Sequence, residues 1–263
     1  MNLIFIGKSG LFKKEMALAK ARKILSVENL DASPDFLLVE PENQKIPVAQ
    51  VTRIADFTTF APVNAERKVV VIVNADLGTI EFQQALLKLL EDEPKTDFLL
   101  TCQQNLLETI HSRCSQVQIK CWTRGQLEEW LKQEGIAVDE TAMLLCGGRP
   151  GIYREVVSET AFLADCKQLA ENLINAPERA VIQLGALAES FDIGVEKHTL
   201  IVSFIESFLS EHVLQHRRLT VGQVLASIEI CTDERRRLGK RGYGKTEMFC
   251  FYRKLYAILS GQQ

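Results

Sequence analysis

The tripeptide Ser112-Arg113-Cys114 is the part of this chain most suited to chemistry. It closes a stretch that opens on the apolar run Phe98-Leu99-Leu100-Thr101. A polar turn at Gln103-Gln104-Asn105 and a half-turn of helix lie between. That layout predicts a buried strand, a loop, a short helix and then an arginine at the edge of the unit, directed away from its own core. A guanidinium held this way suits a trans-acting role on a neighbour's phosphate, because its planar fork matches phosphate oxygens in pairs. A surface arginine in a local ion pair is the plainer alternative, and three residues alone do not separate the two.

A second constellation is Gly7-Lys8-Ser9-Gly10-Leu11-Phe12-Lys13-Lys14, between the first strand and the first helix. A phosphate-binding loop of the form Gly-x-x-x-x-Gly-Lys-Ser/Thr belongs at that place. Gly7 and Lys13 fit the pattern and Gly10 lies within the loop. Phe12 stands where the second glycine should be, and Lys14 replaces the hydroxyl that would hold Mg²⁺. A phenyl ring obstructs close backbone approach, and the metal loses a ligand. An inert strand-to-helix turn is expected, ahead of a working nucleotide site.

The remaining candidates are weaker. His212 and His216 have i, i+4 spacing that can bind metal, but no third ligand accompanies them, so no metal is expected. Arg235-Arg236-Arg237, Lys240, Arg241 and Lys245 form a basic cluster that fits DNA, an acidic neighbour or a charged loop between helices. Cys102 and Cys114 have no base adjacent in sequence, which argues against thiol catalysis.

The elements that must position these residues follow from periodicity. Five strands are predicted: Leu3–Ile6, Phe36–Glu40, Val69–Asn74, Phe98–Thr101 and Val117–Lys120. Amphipathic stretches lie between them, such as Val48, Val51, Ile54 and Ala55. The unbroken β-branched run Val69–Val73 fits a strand buried on both faces. Phe82, Leu86, Leu89 and Leu90 share one helical face, and Pro94 stops that helix. Alternating β and α units imply a parallel sheet flanked by helices. After Cys121 the strand signal fades. Thr123 reads as an N-cap and Gly135 as a stop, and Gly147-Gly148-Arg149-Pro150-Gly151 is the sharpest break. Ile201, Ile205 and Phe208 form one helical stripe, and Phe249, Tyr252, Tyr256 and Leu259 another.

The 263 residues carry a net charge of −3, so no global basic field draws the chain to nucleic acid. Seven scattered cysteines without a Cys-x-x-Cys argue against a disulfide framework or zinc module, and point to reduced thiols in a cytoplasm. No apolar run is long enough to span a bilayer.

Taken together, residues 68–114 resemble the clamp-loader branch of the AAA+ proteins. The residues that carry the likeness are the leucine-rich helix ending Glu91-Asp92-Glu93-Pro94, the following strand, and Ser112-Arg113-Cys114, in that order. Ser33-Pro34-Asp35 also resembles the family's turn into its second strand. The resemblance implies an α/β AAA+ domain over residues 1–121 with a five-stranded parallel sheet. A helical lid over 122–160 and an all-α collar domain over 161–263 would follow. It implies that Arg113 acts as an arginine finger in trans, with Ser112 and Cys114 shaping its turn. The family's acidic Walker B pair would fall at Val73 and Asn74, neither of which is acidic; Asp76 survives beyond them, as readily a helix cap as a ligand. Its second sensor arginine would fall at Ile152, merely flanked by Arg149 and Arg154.

The implied function is a non-hydrolysing subunit of a bacterial DNA polymerase III clamp loader, without cofactor or metal. Its implied partners are the motor ATPase subunits and a delta-type subunit, and, through the complex, the sliding clamp and primer-template DNA. A motor-type ATPase of the same family, or an AAA+ scaffold outside replication, are the alternatives.

Overall fold

The computed structural model describes residues 1–43, 45–93, 95–103, 106–176, 179–180, 182–184, 195–212, 219–238 and 245–259. Two compact units divide the chain, Met1–Cys121 and Trp122–Gln263.

The first unit is built on β1 (Leu3–Ile6), β2 (Phe36–Val39), β3 (Lys68–Ile72), β4 (Thr96–Cys102) and β5 (Ser115–Gln118). All pairings are parallel, in the order β2-β3-β4-β1-β5. The helices are α1 (Lys13–Leu25), α2 (Ala49–Thr59), α3 (Ile80–Asp92) and the short α4 (Glu108–His111). The central strands β3 and β4 are buried along their whole length, as their β-branched and leucine content requires. Pleating sends alternate residues to opposite faces. Val70, Ile72, Phe98 and Leu100 pack with Phe82 and Leu86 of α3, whereas Val69, Val71 and Leu99 pack with Ala17, Ala21 and Leu25 of α1. The alanines let α1 lie close to the sheet.

Several boundaries differ from those expected. β4 begins at Thr96 rather than Phe98. β5 is Ser115–Gln118 rather than Val117–Lys120, because Leu3 of β1 pairs with Ser115. β5 is an edge strand, mostly exposed, which is why hydrophobicity misplaces it. β3 ends at Ile72; Asn74 turns the chain in a left-handed conformation (φ 48°). α3 ends at Asp92, and Glu93 leaves helical geometry, as expected of a residue preceding proline. Pro94 itself lies outside the described residues, as do Gln104 and Asn105.

The described elements of the second unit are all helices: α5 (Arg124–Glu134), α6 (Glu140–Cys146), α7 (Pro150–Ser158), α8 (Thr160–Asn175), α9 (Val195–His212), α10 (Val221–Arg237) and α11 (Lys245–Leu259). Thr123 starts α5 with a reciprocal capping box to Gln126, and Gly135 ends it at φ 68°. Thr220 and Gln223 repeat the box at α10. One hydrophobic cluster runs from Leu127 to Leu259 and takes in Ile201, Ile205, Phe208 and Tyr252. Phe249's side chain lies outside the described residues. Among the described residues no helix is long and apolar enough to cross a membrane.

Candidate functional site

Arg113 sits on a tight turn whose ends are anchored. Ile110 is fully buried and Cys114 nearly so, while Ser112 and Arg113 between them are exposed. The Ser112 amide donates to the Glu108 carbonyl at 2.9 Å and the Arg113 amide to that of Ile110 at 3.1 Å, so the turn is a tightened continuation of α4. Ser112 Oγ donates to the Thr109 carbonyl at 3.0 Å. The Ser115 amide then donates to the Asn2 carbonyl at 2.9 Å, starting β5 beside β1. Burial pushes the Cys114 thiol up to about 11, so Cys114 serves as a small apolar anchor rather than a nucleophile.

The guanidinium is outside the core but engaged by its own unit. Nε donates to Glu91 Oε1 on the last turn of α3, and Nη2 is ion-paired with the same oxygen. Nη1 donates to the Thr109 carbonyl at 2.8 Å and lies 3.4 Å from Ser112 Oγ. Glu91 was not anticipated as a partner. Its only sequence signal is its place in the acidic end of a helix.

The glycine loop lies at the other end of the sheet. It follows Ile6, the last residue of β1, whereas Arg113 precedes Ser115, which pairs with Leu3 at the start of β1. Arg113 is therefore level with Met1 and the loop begins six residues further on, roughly 20 Å away at 3.3 Å per residue. No arginine side chain spans that distance.

Within the loop, the Gly7 amide donates to the Cys102 carbonyl at 3.2 Å, and a Cβ at Gly7 would lie 2.7 Å from the Ile119 carbonyl oxygen, so only glycine fits. Phe12 caps α1 in a left-handed conformation, φ 55°, that costs a residue with a Cβ about 1 kcal/mol or more. Lys13 is 6% exposed and its Nζ donates to the Lys8 carbonyl at 2.6 Å. Burial lowers the Lys13 pKa, opposed in part by the Asp76 carboxylate. Lys14 pairs with Glu40 at 2.6 Å. Val73 is buried, and the Asn74 amide donates to Thr101 Oγ1 at 2.8 Å. Asp76 lies in a 3₁₀ turn, Ala75–Leu77, and its Oδ2 accepts from the Gln103 amide at 3.2 Å. The cap of α3 is Thr79, not Asp76. The fold thus gathers Gly7, Lys13 and Asp76 at one end of the sheet and leaves Arg113 at the other.

Asp35 emerges with a structural role. Its carboxylate is fully buried and accepts backbone N–H bonds from Val63 (2.7 Å), Asn64 (2.7 Å) and Ala65 (2.8 Å). Burial alone would raise its pKa; the three N–H donors and Lys68 outweigh it and hold the carboxyl below the usual range.

In the second unit, Arg149 Nε donates to the Cys146 carbonyl at 2.7 Å, and Arg154 pairs with Glu134 at 2.9 Å and stacks over Trp130. Ile152 packs against the hydrophobic cluster. Arg235 pairs with Glu206 and Arg236 with Asp233. Lys240, Arg241, His216 and the side chains of His212 and Lys245 lie outside the described residues. Among the described residues no group of three or more metal-ligating side chains comes together. A buried network, Tyr252 hydroxyl to His198 Nδ1 at 2.8 Å and His198 Nε2 to Glu234 at 3.4 Å, joins α11, α9 and α10. Its members are spread over 54 residues and carry no motif.

Residues 2–122 match the family described as "DNA polymerase III, delta subunit". The DNA polymerase III subunit delta′ of Bacillus subtilis (strain 168) is 26% identical over 198 residues, covering 68% of this chain and 56% of that protein. The delta′ subunit of Yersinia pestis is 35% identical over 120 residues, 42% of this chain and 35% of that protein. The chain thus spans about half the length of the first relative and a third of the second. A DNA polymerase III gamma-subunit-related protein from Thermotoga maritima shares the fold, with a TM-score of 0.61 at 16% identity over 98% of this chain and 95% of that one.

Proposed function

We propose, from the premise that this chain is a relative of the DNA polymerase III delta′ subunits, that it is a non-hydrolysing clamp-loader subunit whose Arg113 serves a neighbour's ATP site. The observation that carries this reading is the position of Arg113 at the end of the sheet opposite its own glycine loop. It is anchored on both sides by Ile110 and Cys114 and kept on the surface, so the phosphate it serves belongs to another subunit. There the guanidinium stabilises charge that develops on the transferring phosphoryl group, a contribution worth about 10³ or more in turnover for arginine fingers.

The chain's own loop is a poor fit for Mg-nucleotide. Lys13 spends its ammonium on the Lys8 carbonyl within the loop. Phe12 occupies the position where backbone must approach phosphate, and neither Val73 nor Asn74 supplies a carboxylate for metal or for activating water. The expected partners are motor ATPase subunits and a delta-type subunit. The sliding clamp and primer-template DNA are reached through the complex, in the cytoplasm. Within this reading residues 122–160 act as a lid and 161–263 join the collar.

The test is Arg113→Ala in the reconstituted clamp loader, with ATP turnover and clamp loading measured together. The variant should fold normally and abolish turnover at the one adjoining site. Unchanged pre-steady-state and steady-state rates refute the reading.

A further inference from the structure

Arg113 does not project freely from its turn. Two of its nitrogens, Nε and Nη2, converge on one oxygen of Glu91, and the third, Nη1, is taken by the Thr109 carbonyl at 2.8 Å. The side-on edge of the guanidinium, the one that would grip a phosphate in two-pronged fashion, is thereby already spent on a carboxylate. The two partners come from different elements, α3 and the turn after α4, 22 residues apart. Neither is locked in the core: the side chains are 36% and 47% exposed, so the pair opens to solvent and to any stronger anion offered to it. Glu91 also sits on the last turn of α3, where the helix dipole disfavours a carboxylate. Its placement there is a cost to the helix that the ion pair offsets.

We infer that Glu91 is a positioning residue that parks Arg113 against its own unit until a triphosphate on the adjoining subunit displaces it. The inference rests on the trans-acting role proposed above for Arg113. A triphosphate carries several negative charges against one on Glu91, so it wins the guanidinium. Once the terminal phosphoryl group has left, the balance shifts back toward Glu91. The arginine then has two resting places, and the neighbour's nucleotide state selects between them. The parking partner must be weak for this to work. An exposed ion pair shifts such an equilibrium by about five-fold at most, enough to order the side chain and too little to hold it against polyphosphate.

The test compares wild type, Arg113→Ala, Glu91→Gln and Glu91→Asp in the reconstituted clamp loader, with steady-state ATPase measured across ATP concentrations. Glu91→Gln keeps shape and removes the charge. It should lower the KM for ATP about two- to five-fold with kcat unchanged, since ATP no longer has to displace Glu91 before it takes the arginine. Glu91→Asp, which keeps the carboxylate, should return KM toward wild type. In the isolated chain the Arg113 Nε–H resonance, assigned by its loss in Arg113→Lys, should exchange with water up to about five-fold more slowly in wild type than in Glu91→Gln. An unchanged or raised KM for Glu91→Gln, alongside loss of turnover at the adjoining site for Arg113→Ala, overturns the parking role and leaves the arginine finger standing. A flat rate for Arg113→Ala removes both.

Discussion

Replacing Asp35 by asparagine should unfasten the loop after α2 without unfolding the sheet. The wild-type carboxylate accepts one backbone N–H on Oδ1, from Val63, and two on Oδ2, from Asn64 and Ala65. Asparagine turns its carbonyl oxygen toward Asn64 and Ala65 and its NH₂ group toward the Val63 donor. One charge-assisted bond, worth about 1.5–3 kcal/mol, is lost and the other two fall to about half their strength, about 3–6 kcal/mol in all. The loop is at the surface, with Val63 70% exposed, so water recovers roughly half of that. The net local loss is about 1.5–3 kcal/mol, or about 10-fold or more in the opening equilibrium.

Amide hydrogen exchange is the direct assay, because it resolves Val63, Asn64 and Ala65 from the rest of the chain. Tryptophan fluorescence is blind to the change, since Trp122 and Trp130 both belong to the second unit. Protection at the three amides should fall about 10-fold or more in Asp35→Asn while β3 and β4 keep theirs. Unchanged protection at 63–65 refutes the reasoning, and so does an equal loss throughout the sheet. The same bonds set a pH dependence. A carboxyl whose folded pKa is depressed binds fewer protons folded than unfolded, so its stabilisation is complete above the unfolded value near 3.9 and is lost as pH falls through the folded one. Asp139, lowered despite burial by Lys167 and backbone donors, behaves alike, so both units should weaken below about pH 4.

Lys13→Met should leave the melting temperature of the isolated chain insensitive to millimolar Mg-ATP, as in wild type. A ligand-dependent rise in wild type that the variant abolishes would restore the glycine loop as a nucleotide site. Among the seven thiols, the exposed Cys121 and Cys250 should react first with a disulfide reagent at pH 8; Cys102, Cys166 and Cys231, pushed up to about 12 by burial, should wait for unfolding, and rapid labelling of any of these three contradicts the packing.

Much of the fold is written locally. The run Lys68–Ile72 is too apolar to be anything but a strand covered on both faces. The spacing of Phe82, Leu86, Leu89 and Leu90 makes a one-faced helix, and Thr123 with Gln126 signals a helix start. Such features depend on neighbours within a turn or two, so they survive without knowledge of the rest. The substitutions at Phe12 and Lys14 are equally visible, since a motif either holds the required residue or does not. What folding alone settled is non-local. Inserting β1 between β4 and β5 puts Arg113 and the glycine loop at opposite ends of the sheet. Asp35 meets amides 28 to 30 residues away, Glu91 meets Arg113 across 22, and His198 meets Tyr252 across 54. Each such meeting depends on strand order and helix packing. Those follow from how the whole chain buries its apolar surface, which no single window of residues encodes.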